Sequence, residues 1–198
     1  TGECILTIDT LFNRKINDVC FSSDGRLIAG GSDNGINVVD IYSDKKIASF
    51  SVESRVKKLR FFPDGSRIAT IEADSSFSSW SLKDSISYIA NESFHYAHGD
   101  INDFFITADG KRMFAAVNTS INNIRIHMIG GKDTIRFNGH NNPARAICPG
   151  ENEDVFYSTS TRGNPQKFRD DIEIKKWSIS NRKCIDSFYF NDDANSIL

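Results

Sequence analysis

Cysteine is scarce and scattered in this chain. Cys4, Cys20, Cys148 and Cys184 show no spacing of metal-ligand type, and each lies within or beside an expected strand. The expectation is buried free thiols in a reducing compartment. No apolar run approaches the roughly 20 residues of a membrane helix. The N-terminal residues lack the layout of a signal peptide. The formal charge is only −2, which gives no global pull toward nucleic acid or an anionic membrane. No segment has convincingly helical periodicity. What remains is a chain of 198 residues, 39% hydrophobic and 25% charged, enough for one globular domain with an ample core.

The pattern that is present is a repeat. Val19 and Phe21 alternate with Asp18 and Cys20, a period of two that sets Val19 and Phe21 on the core face of a short strand. Asp24-Gly25 is a tight turn, Leu27 to Ala29 the returning strand, and Asp33-Asn34-Gly35 a second turn before a third strand at Ile36 to Ile41. Phe21, Phe61 and Ile106 stand three residues before Asp24-Gly25, Asp64-Gly65 and Asp109-Gly110. The aspartates are 64 − 24 = 40 and 109 − 64 = 45 residues apart. A fourth copy is fainter, with Ala146 and Cys148 on its strand and Glu151-Asn152-Glu153 in place of Asp-Gly. Periods of roughly 40–45 residues with four strands each mark propeller blades.

With these turns, the dipeptides closing each third strand (Val39-Asp40, Trp80-Ser81, His127-Met128 and Trp177-Ser178) and Gly139-His140, the chain resembles the WD-repeat β-propeller family. The resemblance implies an all-β fold over residues 1–198, with blades at about 16–50, 56–90, 101–137 and 144–188. Strand 3–8 would belong to a preceding blade and 194–198 to a following one. Within the second blade the strands are expected at Val56-Phe61, Arg67-Ile71, Phe77-Leu82 and Ser87-Ala90. Within the fourth, Val155-Ser158 and Asp171-Ile179 flank a polar insert at Thr159 to Asp170. Four blades are fewer than the seven common in the family, so the expectation is a piece of a longer, incomplete propeller. The rival is a five-bladed ring whose last blade joins the terminal strands, which supply too few strands for it.

Two stretches superficially suggest phosphate binding. Gly30 to Gly35 lacks the strand-to-helix context of a phosphate loop and reads as a hairpin turn. Gly130-Gly131-Lys132-Asp133-Thr134 has Ile126 where such a loop needs glycine, and Asp133 follows the lysine. Asn91-Glu92-Ser93 and Asn118-Thr119-Ser120 fit a glycosylation pattern that has meaning only in a secreted chain. The basic strip of Arg55 and Lys57-Lys58-Leu59-Arg60 reads as a solvated rim, with an acidic partner or RNA phosphate as its functional alternative.

The family resemblance implies a buried structural network in the fourth blade, formed by His140, a hydroxyl at Ser158, an acid at Asp171 (or Asp170) and Trp177. Blade two keeps Asp74 and Trp80 without the histidine, and His127 replaces the tryptophan in blade three. No catalytic residue, metal ligand or cofactor site is expected. The resemblance further implies a non-catalytic scaffold binding other proteins in a multiprotein assembly, a ribonucleoprotein complex being one form of it. No membrane and no small-molecule substrate are expected, and the location would be cytoplasmic or nuclear. A sensor or regulatory propeller of a larger signalling protein, and a propeller enzyme, are the alternatives. In this fold the starts of the inner strands reach one rim, which makes Asn17, Arg55, Lys57, Asp100, Asn102, Asn142 and Arg145 the expected contact residues.

Overall fold

The computed structural model describes residues 2–4, 7–8, 15–83, 92–95, 100–119, 121–131, 133–162 and 171–190, with only the backbone placed at 92–95, 162 and 171. Among these residues there are sixteen strands and no helix. The strands form four antiparallel four-stranded sheets. Contacts divide the chain into two compact units, Thr1–Tyr96 and Ala97–Leu198.

The first unit holds β1 (Ile16–Phe21), β2 (Leu27–Ser32), β3 (Gly35–Asp40) and β4 (Lys45–Ser51), paired in chain order. Its second sheet is β5 (Val56–Phe61), β6 (Arg67–Glu72), β7 (Ser76–Ser81) and β8 (Glu92–His95). The second unit holds β9 (Ile101–Ile106), β10 (Arg112–Val117), β11 (Ile124–Met128) and β12 (Thr134–Phe137). It is completed by β13 (Ala144–Pro149), β14 (Val155–Arg162), β15 (Asp171–Ser178) and β16 (Lys183–Phe190).

The Asp-Gly turns are built alike. Gly25, Gly65 and Gly110 sit at φ of 70°, 68° and 67°, a region that costs an L side chain energy. The preceding carboxylate accepts the amide two residues on, as Asp24 does from Arg26 at 3.0 Å, Asp64 from Ser66 at 3.0 Å and Asp109 from Lys111 at 3.0 Å. These bonds, with hydroxyl donors Ser22, Ser66 and Thr107, hold all three carboxyls below their ordinary range. Asp40 closes β3 in a related way, taking Arg26 Nε at 2.7 Å and the Tyr42 amide at 3.0 Å.

Each unit buries its core between its two sheets. In the first, Ala29, Ile36, Val38 and Phe50 meet Leu59, Phe61, Ile68 and Trp80. A Cβ on Gly31 would come within 2.5 Å of Val56 Cγ1, so glycine lets β5 cross β2 closely. In the second, Phe114, Ile126 and Phe137 meet Ile147, Phe156 and Trp177. The Phe156 and Trp177 rings stack at 6.0 Å, and Phe137 meets Trp177 edge-on at 5.7 Å. Burying a large apolar side chain contributes roughly 1.5–3 kcal/mol, so these rings are the main cohesion of each pair.

Several expectations need correction. Val19 and Phe21 are exposed, whereas Cys20 between them packs against the core. Covering by a neighbouring sheet decides burial here: Leu59 and Phe61, at the same positions in β5, are buried against the first sheet. No cysteine is fully buried; Cys4 and Cys148 are exposed and Cys20 and Cys184 half-buried, all as free thiols. The fourth strand of the second sheet is Glu92–His95, aligned with β7 through Ser76↔His95 and Ser79↔Glu92. The expected Ser87–Ala90 lies outside the described residues. The polar stretch after Ser158 continues β14 to Arg162, because Ser160 satisfies its hydroxyl on the carbonyls of Asn142 and Pro143 at 3.0 Å each. Residues 163–170 of the expected insert, and 194–198, lie outside the description. The described parts of 3–8 are not in a strand.

Candidate functional site

The densest polar cluster is in the fourth sheet. β14 and β15 place Ser158 and Trp177 on one face, and His140 comes from the segment before β13. Trp177 Nε1 donates to Ser158 Oγ at 2.7 Å, and Ser158 Oγ lies 2.7 Å from His140 Nε2. His140 Nδ1 lies 2.6 Å from Glu173 Oε2. An indole N–H can only donate, so Ser158 accepts it and sends its own proton to Nε2. Nδ1 then carries the imidazole proton toward Glu173. Burial holds His140 below the ordinary imidazole value, with Glu173 pulling the other way and Lys175 assisting burial. Burial raises the Glu173 carboxyl, but hydrogen bonding from His140 and the charge of Lys175 outweigh it and leave that carboxyl below its usual range. A neutral imidazole bonded to a carboxylate is the consistent state.

A serine, an imidazole and an acid in line match the layout of a nucleophilic triad. Accessibility decides against that chemistry. Ser158 is fully buried and His140 nearly so, and the serine oxygen is already occupied by the indole. No carbonyl from solvent could meet Oγ without dismantling the sheet. The cluster is a packing device that leaves each polar group satisfied.

The acid is Glu173, where the sequence pointed to Asp171. The pairing Ser160↔Glu173 sets residue 173 beside the hydroxyl row of β14. The Asp171 side chain lies outside the described residues. In the second sheet Trp80 Nε1 donates to Thr70 Oγ1 at 3.0 Å, and Thr70 lies 3.3 Å from Glu72 Oε1, a carboxyl standing behind the hydroxyl where the fourth sheet has His140. Asp74, named from the sequence for this blade, instead caps the next turn through Ser76 at 3.0 Å. In the third sheet His127 turns to Thr134 across the strand pair at 2.9 Å.

The expected contact residues fall into two groups. Each inner strand carries a bulge, and the skipped residues are Asn17, Lys57, Asn102 and Arg145. A bulge repeated at one position in four sheets re-aims one side chain per sheet. Asn17 is held by Asp33 at 2.8 Å, and Asn102 donates to the Ala144 carbonyl at 2.7 Å. Asn142 donates to the Thr161 carbonyl at 2.5 Å and receives Asn123 at 2.9 Å through its own carbonyl. These three asparagines are fastening groups. Arg55, Asp100 and Arg145 are exposed, and Lys57 is half-buried.

Two fastening residues escaped notice in the sequence. Asp18 accepts the Leu59 amide at 2.9 Å and Arg60 Nη1 at 3.0 Å, tying the first sheet to the second. Asp103 accepts the Ile147 amide at 3.2 Å, tying the third to the fourth. The available signal was the repeated Ile-Asn-Asp at 16–18 and 101–103. Among the described residues no group of three or more His, Cys, Asp and Glu could hold a metal ion, and no helix is long and apolar enough to cross a membrane.

Residues 2–40 match the family model described as WD domain, G-beta repeat. No curated protein sequence matches the chain. A solved structure titled Kuenenia stuttgartiensis Hydrazine Synthase is similar with a TM-score of 0.74 over 98% of this chain, at 16% identity. That likeness shows the fold alone, and this chain spans only 53% of the length of that one. A WD repeat is thus matched over residues 2–40, and the four antiparallel four-stranded sheets, with the likeness to that solved structure, give a fold of β-propeller type.

Proposed function

We propose that this chain is a non-catalytic scaffold that binds other proteins within a multiprotein assembly, through the residues at which the inner strands of each unit begin. Binding other proteins is the general role of WD repeats. The observation that carries the reading is the bulge shared by all four inner strands beside exposed Arg55 and Arg145. It supplies a repeated set of side chains outside the ladder, while the serine and histidine that could do chemistry are buried. Arginine suits such a role, since its planar fork pairs with carboxylates and is enriched at binding hot spots. Arg55 and Lys57 in the first unit, and Arg145 in the second, each favour a partner segment rich in acidic residues. The test is quantitative capture of proteins from native extract by the wild-type chain and by Arg55→Glu combined with Arg145→Glu. Loss of specific partners from a folded double variant is expected. Capture of every partner at wild-type level would overturn this surface assignment.

A further inference from the structure

Asparagine precedes glycine at Asn34-Gly35 and Asn138-Gly139, and both asparagines are exposed. Glycine carries no Cβ, so nothing on it screens its amide nitrogen from the side chain before it. The two pairs are held differently. At the β2–β3 hairpin the Asn34 carbonyl accepts the Val52 amide at 3.4 Å, and the Asn34 amide donates to Ser32 Oγ at 3.3 Å. Gly35 is already in the ladder opposite Ser51. Asn138 and Gly139 lie outside the strands, between Phe137 at the end of β12 and His140.

Both flanking residues are anchored. Phe137 is buried, pairs with Ile124 and meets the Trp177 ring edge-on at 5.7 Å. His140 is held at both ring nitrogens by Ser158 and Glu173, and its carbonyl accepts Asn123 Nδ2 at 2.9 Å. Gly139 has no room for a side chain, since a Cβ there would lie 2.7 Å from Trp177 Cη2. Its carbonyl accepts Lys175 Nζ. Packing against Trp177 thus demands glycine at the position where glycine leaves Asn138 open to attack.

We propose that Asn138-Gly139 is a site of spontaneous covalent modification, where the asparagine deamidates through a cyclic imide and uncouples the buried His140 network. The reaction is intramolecular, between groups already adjacent in the chain. The Gly139 nitrogen bonds to Asn138 Cγ and the Cγ–Nδ2 bond breaks. Nδ2 leaves as ammonia, taking the proton that the Gly139 nitrogen gives up. One water then opens the imide. Attack at Cγ restores the ordinary main chain with aspartate at position 138. Attack at the main-chain carbonyl carbon gives isoaspartate, and the chain then runs through Cβ and Cγ with one additional carbon. The first product adds only an exposed charge on the Lys175 side of the molecule. The second must fit an extra atom between Phe137 and His140, with only two residues between these anchors. The hydrogen bonds of His140 give way, because its partners belong to a sheet that cannot follow the shift.

The test is ageing of the whole chain in mildly alkaline buffer, read by mass-spectrometric peptide mapping, an isoaspartyl methyltransferase assay and thermal melts. Conversion at Asn138 is expected to run several-fold faster than at Asn34. A lower-melting population should grow with the isoaspartate content, and should shrink when the methyltransferase and S-adenosylmethionine are supplied. Asn138→Gln should age without that population, and freshly prepared Asn138→Asp should melt as wild type does. In aged His140→Ala, isoaspartate should form yet lower the melting temperature by less than in wild type, since the network is already gone. His140→Gln serves in its place if circular dichroism shows His140→Ala unfolded. Asn138 intact after ageing, conversion no faster than at Asn34, isoaspartate at 138 without a lower-melting population, or an undiminished drop in the aged histidine variant would each overturn the proposal.

Discussion

The second and fourth sheets solve one problem in two ways. In both, a buried indole N–H on the third strand meets a hydroxyl on the second, Trp80 with Thr70 and Trp177 with Ser158. They differ in where the hydroxyl proton goes. In the fourth sheet it meets a buried neutral imidazole backed by Glu173. In the second it lies toward Glu72, a nearly buried carboxyl that burial pushes above its ordinary range against hydrogen bonds from Ser78 and Thr70. The hydroxyl–indole pair is therefore the common fastening, and the group behind it sets how the sheet responds to pH.

The largest expected break in this comparison comes from the indoles themselves. Trp177→Ala should cost roughly 3–5 kcal/mol, since it removes stacked aromatic contacts and one of the two hydrogen bonds of the Ser158 hydroxyl. Trp80→Ala should fall in the same range, for Trp80 packs on Phe50 in the same role. Equilibrium urea unfolding of both variants would check this. A loss below about 1 kcal/mol at either site would mean that the sheet does not depend on its indole.

Next in size are the hydroxyl and imidazole. His140→Ala should cost on the order of 1–3 kcal/mol by leaving the Ser158 hydroxyl proton without its acceptor and Glu173 Oε2 without its imidazole partner, and Thr70→Val should cost a similar amount at Trp80. A double-mutant cycle between positions 140 and 158 should show strong coupling. Additive losses would contradict a single network.

Acid titration then separates the two sheets. His140 has a folded value below its ordinary 6.5, so its contribution is full above 6.5 and is lost as pH falls from there toward the folded value. Glu72 has a folded value above its ordinary 4.5, so its contribution is full below 4.5 and is lost as pH rises through the folded value. Melting temperature measured against pH should lose its slope below 6.5 in His140→Gln. Glu72→Gln should be as stable as wild type, or more so, at neutral pH. The opposite outcomes would reverse the protonation states assigned here.

The repeat, the Asp-Gly turns and the all-β fold were legible because they depend on local chemistry: period-two alternation and a glycine at positive φ. What a neighbouring sheet decides was not legible. Val19 and Leu59 read identically along the chain, yet one is exposed and the other buried. The choice between Asp171 and Glu173 needed the pairing register of β14 with β15, which the polar run after Ser158 disguised as a loop. Asp18 and Asp103 act on amides of another sheet more than 40 residues away, so nothing in their own strands announces the role.

The smallest expected effect on stability, and the most informative for function, comes from the exposed arginines. Surface substitutions of this kind usually change stability by no more than about 0.5 kcal/mol. The direct test of the account is to measure melting and partner capture on the same preparations of two variants, His140→Ala and Arg55→Glu combined with Arg145→Glu. The account predicts that the first loses thermal stability but captures partners normally while folded, and that the second keeps its melting temperature but loses capture. Loss of capture by folded His140→Ala, with capture intact in the arginine variant, would contradict it.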